Sequence, residues 1–374
     1  MTVTIKKVAS RRDLRKFIKF PFSLYQDNPY WVPALTGDEF DTFNKKKNAA
    51  FEYCEADCFL AYKDDKLAGR VAAIINHEAN KRWGEEVVRF GWLDFIEDVE
   101  VLSKLIDAVA EWGKQRGCTT IKGPWGFTDM DKEGSLVEGY DKLSSFTCLY
   151  NFPYYDTLLK QIGFERDADW TQRIVYIPDK PLPSYQYVPL IEKKFGVHCA
   201  TGKSMQDLNK RYGMEIFHLY NESFAPLFEF APLTDEQIRR YLKTYIPILD
   251  MDFISVVVNE EDKPVGFCFC VPTLSTAVKK SNGNLLPFGF IRILKALKHN
   301  DTLESLLIGV LPEYQGKGVN LLMFKQLHEN CIKRGVKRMI MNPQLEENVK
   351  VQSLFDEFET ELYTVRRAYV KPLK

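Results

Sequence analysis

Apolar positions follow the same order of patterns in the two halves of the chain. Alternation at residues 57–62 and 67–74, across a turn at 63–66, predicts a β-hairpin. Residues 252–258 and 264–269, across a turn at 259–263, predict a second one. Corresponding residues of the two hairpins are separated by nearly the same number of positions along the chain. The pattern therefore favours two similar modules, with chance similarity between two α/β domains as the alternative.

A long amphipathic helix follows each hairpin and ends at a glycine, Gly117 or Gly335, as expected for a left-handed helix cap. Each cap is followed by a β-rich run, and each half closes with a short helix and a strand, at 172–177 and 366–370. Residues 204–223 and 234–246 predict the helices that open the second half. The fold class is therefore α/β (α+β), with a mixed, mostly antiparallel sheet flanked by helices in each module.

The clearest boundary is a proline-rich stretch near the middle of the chain. Three prolines within residues 178–184 remove backbone donors and favour an extended linker. This predicts an N-terminal module at 1–177 and a C-terminal module at 185–374. The length of 374 residues suits two domains.

Charge and cysteine content narrow the class of protein. The 51 basic and 51 acidic residues balance, so no net field favours nucleic acid or an anionic membrane. No apolar run reaches the length of a membrane span, and the N-terminus lacks a signal-peptide pattern. The eight cysteines and five histidines show no metal-ligand spacing. We therefore expect reduced thiols in a cytoplasmic protein with no bound metal, no membrane partner and no nucleic-acid partner.

The stretch from Glu304 to Leu322 carries the strongest chemical signal. A predicted strand ends near Pro312, a turn with two glycines follows, and an apolar-periodic helix begins. Free amides at the start of a helix attract anions, and glycines let a phosphate approach the backbone. The alternative is a tight strand–helix turn without a ligand.

This stretch resembles the pyrophosphate loop of the GNAT superfamily of acyl-CoA-dependent N-acyltransferases. Gln315, Gly318 and the strand 308–312 fit the family pattern, while Asn320 stands where glycine or alanine is usual. The resemblance implies acetyl-CoA as co-substrate. The cofactor-binding residues that it implies are Ile308, Val310, Gln315, Gly316, Lys317, Gly318, Val319, Asn320, Asn348 and Phe355.

Phe355 occupies the position at which this family often has a tyrosine that protonates the departing thiolate. Phenylalanine has no acidic proton, so either water or another group, with Tyr363 and Tyr369 as candidates, supplies the proton, or the site does not turn over. Glu304 is the candidate general base by its place in the strand. A solvated acid at a strand edge is the alternative for Glu304, and the rival bases are Glu229, Asp250 and Asp252.

The first half lacks such a loop. Its equivalent region, 90–98, contains three acids and no glycine cradle, so we expect this module not to bind coenzyme A. A longer insertion there is rich in glycine and aromatic residues. It forms either a substrate cleft facing the other module or a packing surface. The candidate cleft residues are Trp125, Phe127, Tyr154 and Tyr155.

Three functions remain open from the sequence. The first is acetyl transfer to an unidentified small-molecule or peptide amine in a cleft between the modules. The second is a non-catalytic GNAT-fold module that binds a ligand or a partner. The third is an aminoacyl or long-chain acyl transferase, since tandem GNAT folds also serve those roles. We expect a bacterial protein that is a monomer or a homodimer.

Overall fold

The chain forms two compact units, and each is assembled from separate segments. A computed structural model describes residues 2–373. Unit 1 comprises residues 2–171, 274–293 and 364–373, and unit 2 comprises Gln172–Thr273 and Leu294–Tyr363. The first boundary lies within a strand, a few residues before the proline-rich linker that the sequence suggested.

Unit 1 is built on antiparallel strands that one long helix covers. Its elements, in chain order, are β1 (Val3–Lys7), α1 (Arg11–Leu24), α2 (Thr36–Thr42), β2 (Cys54–Lys63), β3 (Lys66–Asn76), α3 (His77–Trp83), β4 (Val87–Phe95), α4 (Val99–Lys114), β5 (Thr120–Gly123), β6 (Ser135–Glu138), α5 (Tyr154–Gln161) and the start of β7 (Glu165–Tyr176). Strands β1 to β4 pair antiparallel, and β5 is parallel to β4. The α4 residues Leu102, Leu105 and Val109 are fully buried in the core, as their helical spacing predicts.

Unit 2 repeats this order. Its elements and those of its insertion are α6 (Val188–Phe195), β8 (Val197–Cys199), α7 (Met205–Phe224), α8 (Asp235–Tyr245), β9 (Ile254–Asn259), β10 (Pro264–Pro272), α9 (Ser275–Lys280), α10 (Gly289–Lys298), β11 (Thr302–Val310), α11 (Val319–Arg334), β12 (Arg338–Ile340), β13 (Gln344–Leu345), α12 (Val349–Gln352) and β14 (Thr360–Pro372). Strands β8 to β11 pair antiparallel, and β12 is parallel to β11. The predicted fold class, both hairpins and the opening helices are confirmed.

The last strand of each half does not pair as the predicted modules imply. The division at the linker implies that β7 pairs within the first half and β14 within the second. The end of β14 pairs with β5 of unit 1, from Tyr369 opposite Gly123 to Pro372 opposite Thr120. The end of β7 pairs with β12 of unit 2, where Ile174 lies opposite Ile340. Ladder hydrogen bonds join backbone groups that all residues except proline carry in full, so the pattern of a strand does not reveal which strand it pairs with.

The insertion between β10 and β11 also departs from the predicted modules, because residues 274–293 belong to unit 1. The Lys279 ammonium donates hydrogen bonds to the backbone oxygens of Asn28 (2.9 Å) and Trp31 (2.8 Å). The amide of Thr36 donates to the carbonyl of Gly283 at 2.9 Å. These bonds fix the start of the insertion on the surface of unit 1.

Candidate functional site

The strand β11 parts from its parallel neighbour halfway along its length. Its ladder with β12 runs from Thr302 to Glu304, whereas its ladder with β10 continues to Val310. Beyond the fork, the amide of Asn342 instead donates to the side-chain oxygen of Ser305 at 2.9 Å. Residues 306–310 thus have no β12 partner in the described ladder, and Ile308 and Val310 lie there half-buried. Backbone groups in such a fork are able to bind an extended polar chain.

The loop after β11 leads into the start of α11. Gly316 and Gly318 have φ angles of +72° and +81°, a conformation that favours glycine. The Gln315 side chain donates to the Val310 carbonyl at 3.1 Å, which ties the loop to the end of the strand. No side chain caps the helix at Gly318. The first amides of a helix have no intrahelical partner, so this end suits an anion.

The other residues of the loop differ in exposure and charge, and Lys317 is the one that adds a positive charge. The Lys317 ammonium lies 5.5 Å from the ring centroid of Phe195 and 5.2 Å from that of Tyr314, and its side chain is exposed. Val319 is buried and anchors the helix, whereas Asn320 is half-buried. A positive charge beside uncapped amides adds to the attraction for a phosphate group.

The corresponding helix of unit 1 starts with its own anion. The Asp98 carboxylate accepts hydrogen bonds from the amides of Glu100 (2.9 Å) and Val101 (3.2 Å) and pairs with the Lys63 ammonium. Burial alone would raise the pKa of Asp98, but the hydrogen bond from Lys63, together with those from the two amides, holds its pKa below the ordinary value. The start of α4 is therefore already neutralised, and this favours the prediction that unit 1 does not bind coenzyme A.

Replacing Asp98 by asparagine should lower the free energy of unfolding by about 1 kcal/mol near neutral pH. Because asparagine still caps the helix, the lost free energy of unfolding measures the contribution of the Asp98 charge. Because the folded pKa is depressed, the stabilisation is present above the ordinary aspartate pKa of about 4 and is lost as the pH falls through the folded value. Urea unfolding at about pH 7 and about pH 3.5 measures it. An equal loss at both pH values would contradict the charge effect.

Glu304 lies at the fork between β11 and β12. Its side chain is 1% exposed and accepts a hydrogen bond from the Thr273 hydroxyl. It is thus a buried carboxylate, and the alternative of a solvated edge acid is wrong. Thr273 was not predictable as its partner, because the contact depends on the register that places Glu304 opposite Val271.

The rival bases differ in their surroundings. Asp250 and Asp252 both pair with Arg334, at 3.0 Å and 2.6 Å, which explains them as structural residues. Glu229 is 4% exposed and has a φ of +60° in the connection between α7 and α8. That backbone conformation is uncommon for glutamate and is often found at functional sites, so Glu229 stays a second candidate.

The candidate acids and the Asn348–Phe355 segment show mostly packing roles. Phe355 is buried, with its ring 5.2 Å from that of Phe324 on α11. Asn348 caps α12 by accepting from the amide of Val351 at 3.4 Å. The Tyr369 hydroxyl donates to Asp156 at 2.8 Å within unit 1. Tyr363 lies half-buried in β14 of unit 2 and remains the candidate acid.

The four aromatic residues that were candidates for a cleft lie in the interior of unit 1. Trp125, Phe127 and Tyr155 are almost completely buried, and Tyr154 is half-buried. The Phe127 ring is 5.0 Å from that of Phe51, in edge contact. This burial favours packing over a cleft wall, since a residue enclosed by other side chains offers little surface to a substrate.

Part of the chain matches a known protein family, and the whole chain is similar to two named bacterial proteins. Residues 214–358 match the Acetyltransferase (GNAT) family. The chain is 28% identical to Protein YghO of Escherichia coli strain K12, over 99% of this chain and 95% of that protein. It is 23% identical to a protein named Bacterial ceramide synthase in Caulobacter vibrioides, over 99% of this chain and 98% of that one.

The solved structures of similar fold include a tandem GNAT protein and a GCN5-related N-acetyltransferase. A tandem GNAT protein from the clavulanic acid biosynthesis pathway has a TM-score of 0.57 at 12% identity, covering 100% of this chain and 99% of that one. A GCN5-related N-acetyltransferase from Sphaerobacter thermophilus has a TM-score of 0.51 at 12% identity, covering 100% and 96%. The resemblance found in the sequence is confirmed for residues 214–358, which match the GNAT family model, and the fold of the whole chain is similar to that of a tandem GNAT protein.

Proposed function

We propose that the protein is an acyl-CoA-dependent N-acyltransferase and that unit 2 binds the coenzyme. The observation that carries the proposal is the glycine-lined, uncapped start of α11 next to the fork between β11 and β12. The amides of Gly316 and of residues 318–320, together with the Lys317 ammonium, would hold the diphosphate. The free backbone of residues 306–310 would bind the pantetheine arm, which brings the thioester towards the fork.

Acyl transfer from a thioester to an amine needs groups at the fork that stabilise the oxyanion and move two protons. The neutral amine attacks the thioester carbonyl, and a backbone amide near Val310 stabilises the oxyanion that forms. Glu304 accepts the proton that the amine loses, directly or through water. The carbon–sulfur bond then breaks, the thiolate leaves with a proton from Tyr363 or water, and an amide and free coenzyme A result. The acceptor is a small-molecule or peptide amine.

The identity of the acyl group has two candidates. Acetyl transfer follows from the resemblance to acetyltransferases. A longer acyl group is favoured by the relative named a ceramide synthase, because a ceramide is a fatty-acid amide of an amino alcohol. The eight cysteines are free thiols, which fits a cytoplasmic setting for either reaction.

Isothermal titration calorimetry with free coenzyme A, acetyl-CoA and a long-chain acyl-CoA below its micellar concentration tests the proposal. We expect free coenzyme A to bind, and the acyl derivative that binds more tightly identifies the donor. Release of coenzyme A thiol is then measured with small amines and with a sphingoid base as acceptors. If none of the three ligands binds, the proposal is wrong; if they bind without turnover, the non-catalytic alternative is correct.

A further inference from the structure

The segment comprising residues 284–298, here called the apolar segment, exposes an unusual amount of apolar surface. Six of the thirteen exposed large apolar side chains among residues 2–373 lie between Leu285 and Leu294. Leu286 and Phe288 are 78% and 66% exposed, and Phe290, Ile291 and Leu294 on α10 are about half exposed. Single exposed apolar residues are ordinary on protein surfaces, but a contiguous group marks a binding surface.

The helix α10 is apolar on two faces, and one of them is buried against the rest of the protein. Gly289 and Ile293 are buried, whereas Phe290, Ile291 and Leu294 point away from that buried side. A helix on a water-facing surface normally carries polar residues opposite its buried stripe. The bonds from Lys279 and Thr36 hold the preceding part of the insertion in place, so the apolar segment is presented from a fixed base.

Charge is distributed unevenly around the apolar segment. The whole chain has equal numbers of basic and acidic residues, yet no acid occurs between Asp262 and Asp301. The basic residues of this region from α9 onward are Lys279, Lys280, Arg292, Lys295 and Lys298. Three of these five lie on α10 and alternate with its exposed apolar residues. The combination of exposed apolar and basic side chains is complementary to a surface that is apolar inside and negatively charged outside.

We propose that the apolar segment binds the surface of an anionic phospholipid bilayer. Leu286, Phe288 and the exposed side of α10 enter the headgroup–acyl boundary, and Arg292, Lys295 and Lys298 contact lipid phosphates. None of the helices that residues 2–373 form has the length and hydropathy to cross a bilayer. A segment that lies at the membrane–water interface does not need the length or the hydropathy of a spanning helix. The expectation of no membrane partner rested on the balanced net charge of the whole chain and on the absence of a spanning run; this proposal departs from it because the cations are concentrated on one segment.

A second copy of the chain fits the surface less well. A symmetric dimer brings the same patch of each subunit together, so the cations of α10 would face one another. The segment itself carries no acid to pair with them, so the like charges oppose such a contact. A phospholipid bilayer supplies both the apolar layer and the counter-charge.

Co-sedimentation with phosphatidylglycerol/phosphatidylethanolamine vesicles and with pure phosphatidylcholine vesicles tests this proposal. We expect wild-type protein to bind the anionic vesicles at least about tenfold more tightly, with the difference reduced by salt. The double variant Leu286→Ser/Phe288→Ser should lose at least about 30-fold in vesicle affinity. Lys295→Glu/Lys298→Glu should lose a similar factor on anionic vesicles only.

Matched variants keep the result interpretable. Ile332→Ser removes an exposed apolar residue from α11, and Lys46→Glu reverses an exposed charge elsewhere; both should bind vesicles like the wild type. Thermal melting shows that each variant is folded. Free coenzyme A binding, measured separately, should be unchanged in all of them, so the vesicle result stands or falls independently of the proposed acyl transfer.

Two results would overturn the proposal. One is wild-type protein that stays in the supernatant with anionic vesicles. The other is a Leu286→Ser/Phe288→Ser variant that binds them as well as wild type. If light scattering shows a wild-type dimer that this variant converts to monomer, and neither binds vesicles, the partner is a second copy of the chain.

Discussion

Replacing Gly316 by aspartate should weaken the binding of free coenzyme A by at least about 100-fold, whereas asparagine at the same position should keep most of the affinity. A carboxylate beside the start of α11 would repel the diphosphate, and two unit charges about 4 Å apart near a protein surface interact by about 4 kcal/mol. Asparagine has nearly the same shape without the charge. Calorimetric titration of the two variants isolates the electrostatic effect.

Position 316 suits this comparison because the backbone and the surrounding space tolerate both side chains. A Cβ atom there meets nothing within 4 Å, and asparagine and aspartate adopt positive φ more readily than other residues. Gly335→Asp serves as control, since Gly335 has the same φ of +72° and open space at the far end of α11. It should leave coenzyme binding unchanged. Equal affinities of the aspartate and asparagine variants would contradict a diphosphate at this loop.

Gly318 is a poor choice for the same test, although the family pattern points to it. Its Cβ would lie 2.6 Å from a methyl carbon of Ile191 on α6, so any replacement also disturbs packing. The sequence shows two glycines in one loop and does not separate the one that meets a neighbour from the one that faces open space. That distinction depends on α6, more than 120 residues earlier in the chain.

Local patterns predicted the local structure well. The hairpins, the long helices α4 and α11 and the left-handed cap of α11 at Gly335 follow from alternation, helical spacing and backbone conformation, which are properties of short segments. Helix α4 instead has Gln115 as its cap, and Gly117, at a φ of +83°, lies two residues beyond it. The exchange of the ends of β7 and β14 does not follow from them, because backbone groups pair there across about 170 positions for β7 and about 250 positions for β14. The placement of residues 274–293 on unit 1 likewise depends on Lys279 reaching two carbonyl oxygens of a distant loop.

The candidate site was predictable where a residue type imposes its own geometry. Glycines at positive φ and an uncapped helix start could be expected from residues 315–320 alone. Burial was harder to predict. Glu304 is enclosed because β10 and β12 flank it, and Trp125 is enclosed by the core of unit 1, although its loop composition suggested an open cleft.

Replacing Glu304 by glutamine should lower kcat by about 100-fold to 10,000-fold and change the KM for the acyl-CoA by less than about threefold. Glutamine keeps the size of the side chain and an oxygen that accepts from Thr273, so the fork should keep its shape. It has no basic oxygen to take the proton from the amine. The KM is preserved because the diphosphate is held by residues 316–320 and the pantetheine by the backbone of β11.

The pH dependence distinguishes a base from a structural acid. If Glu304 takes the proton, the kcat of the wild type rises with pH, because only the ionised carboxylate acts as a base. The Glu304→Gln variant should lack this rising limb of the pH profile. A residue that only holds the fork together would instead change the melting temperature and leave the shape of the profile intact. Glu229→Gln is the matched variant, since Glu229 is also buried and its backbone conformation is uncommon. If Glu229→Gln removes the limb and Glu304→Gln keeps it, the base is Glu229 and the role assigned to the fork carboxylate is wrong.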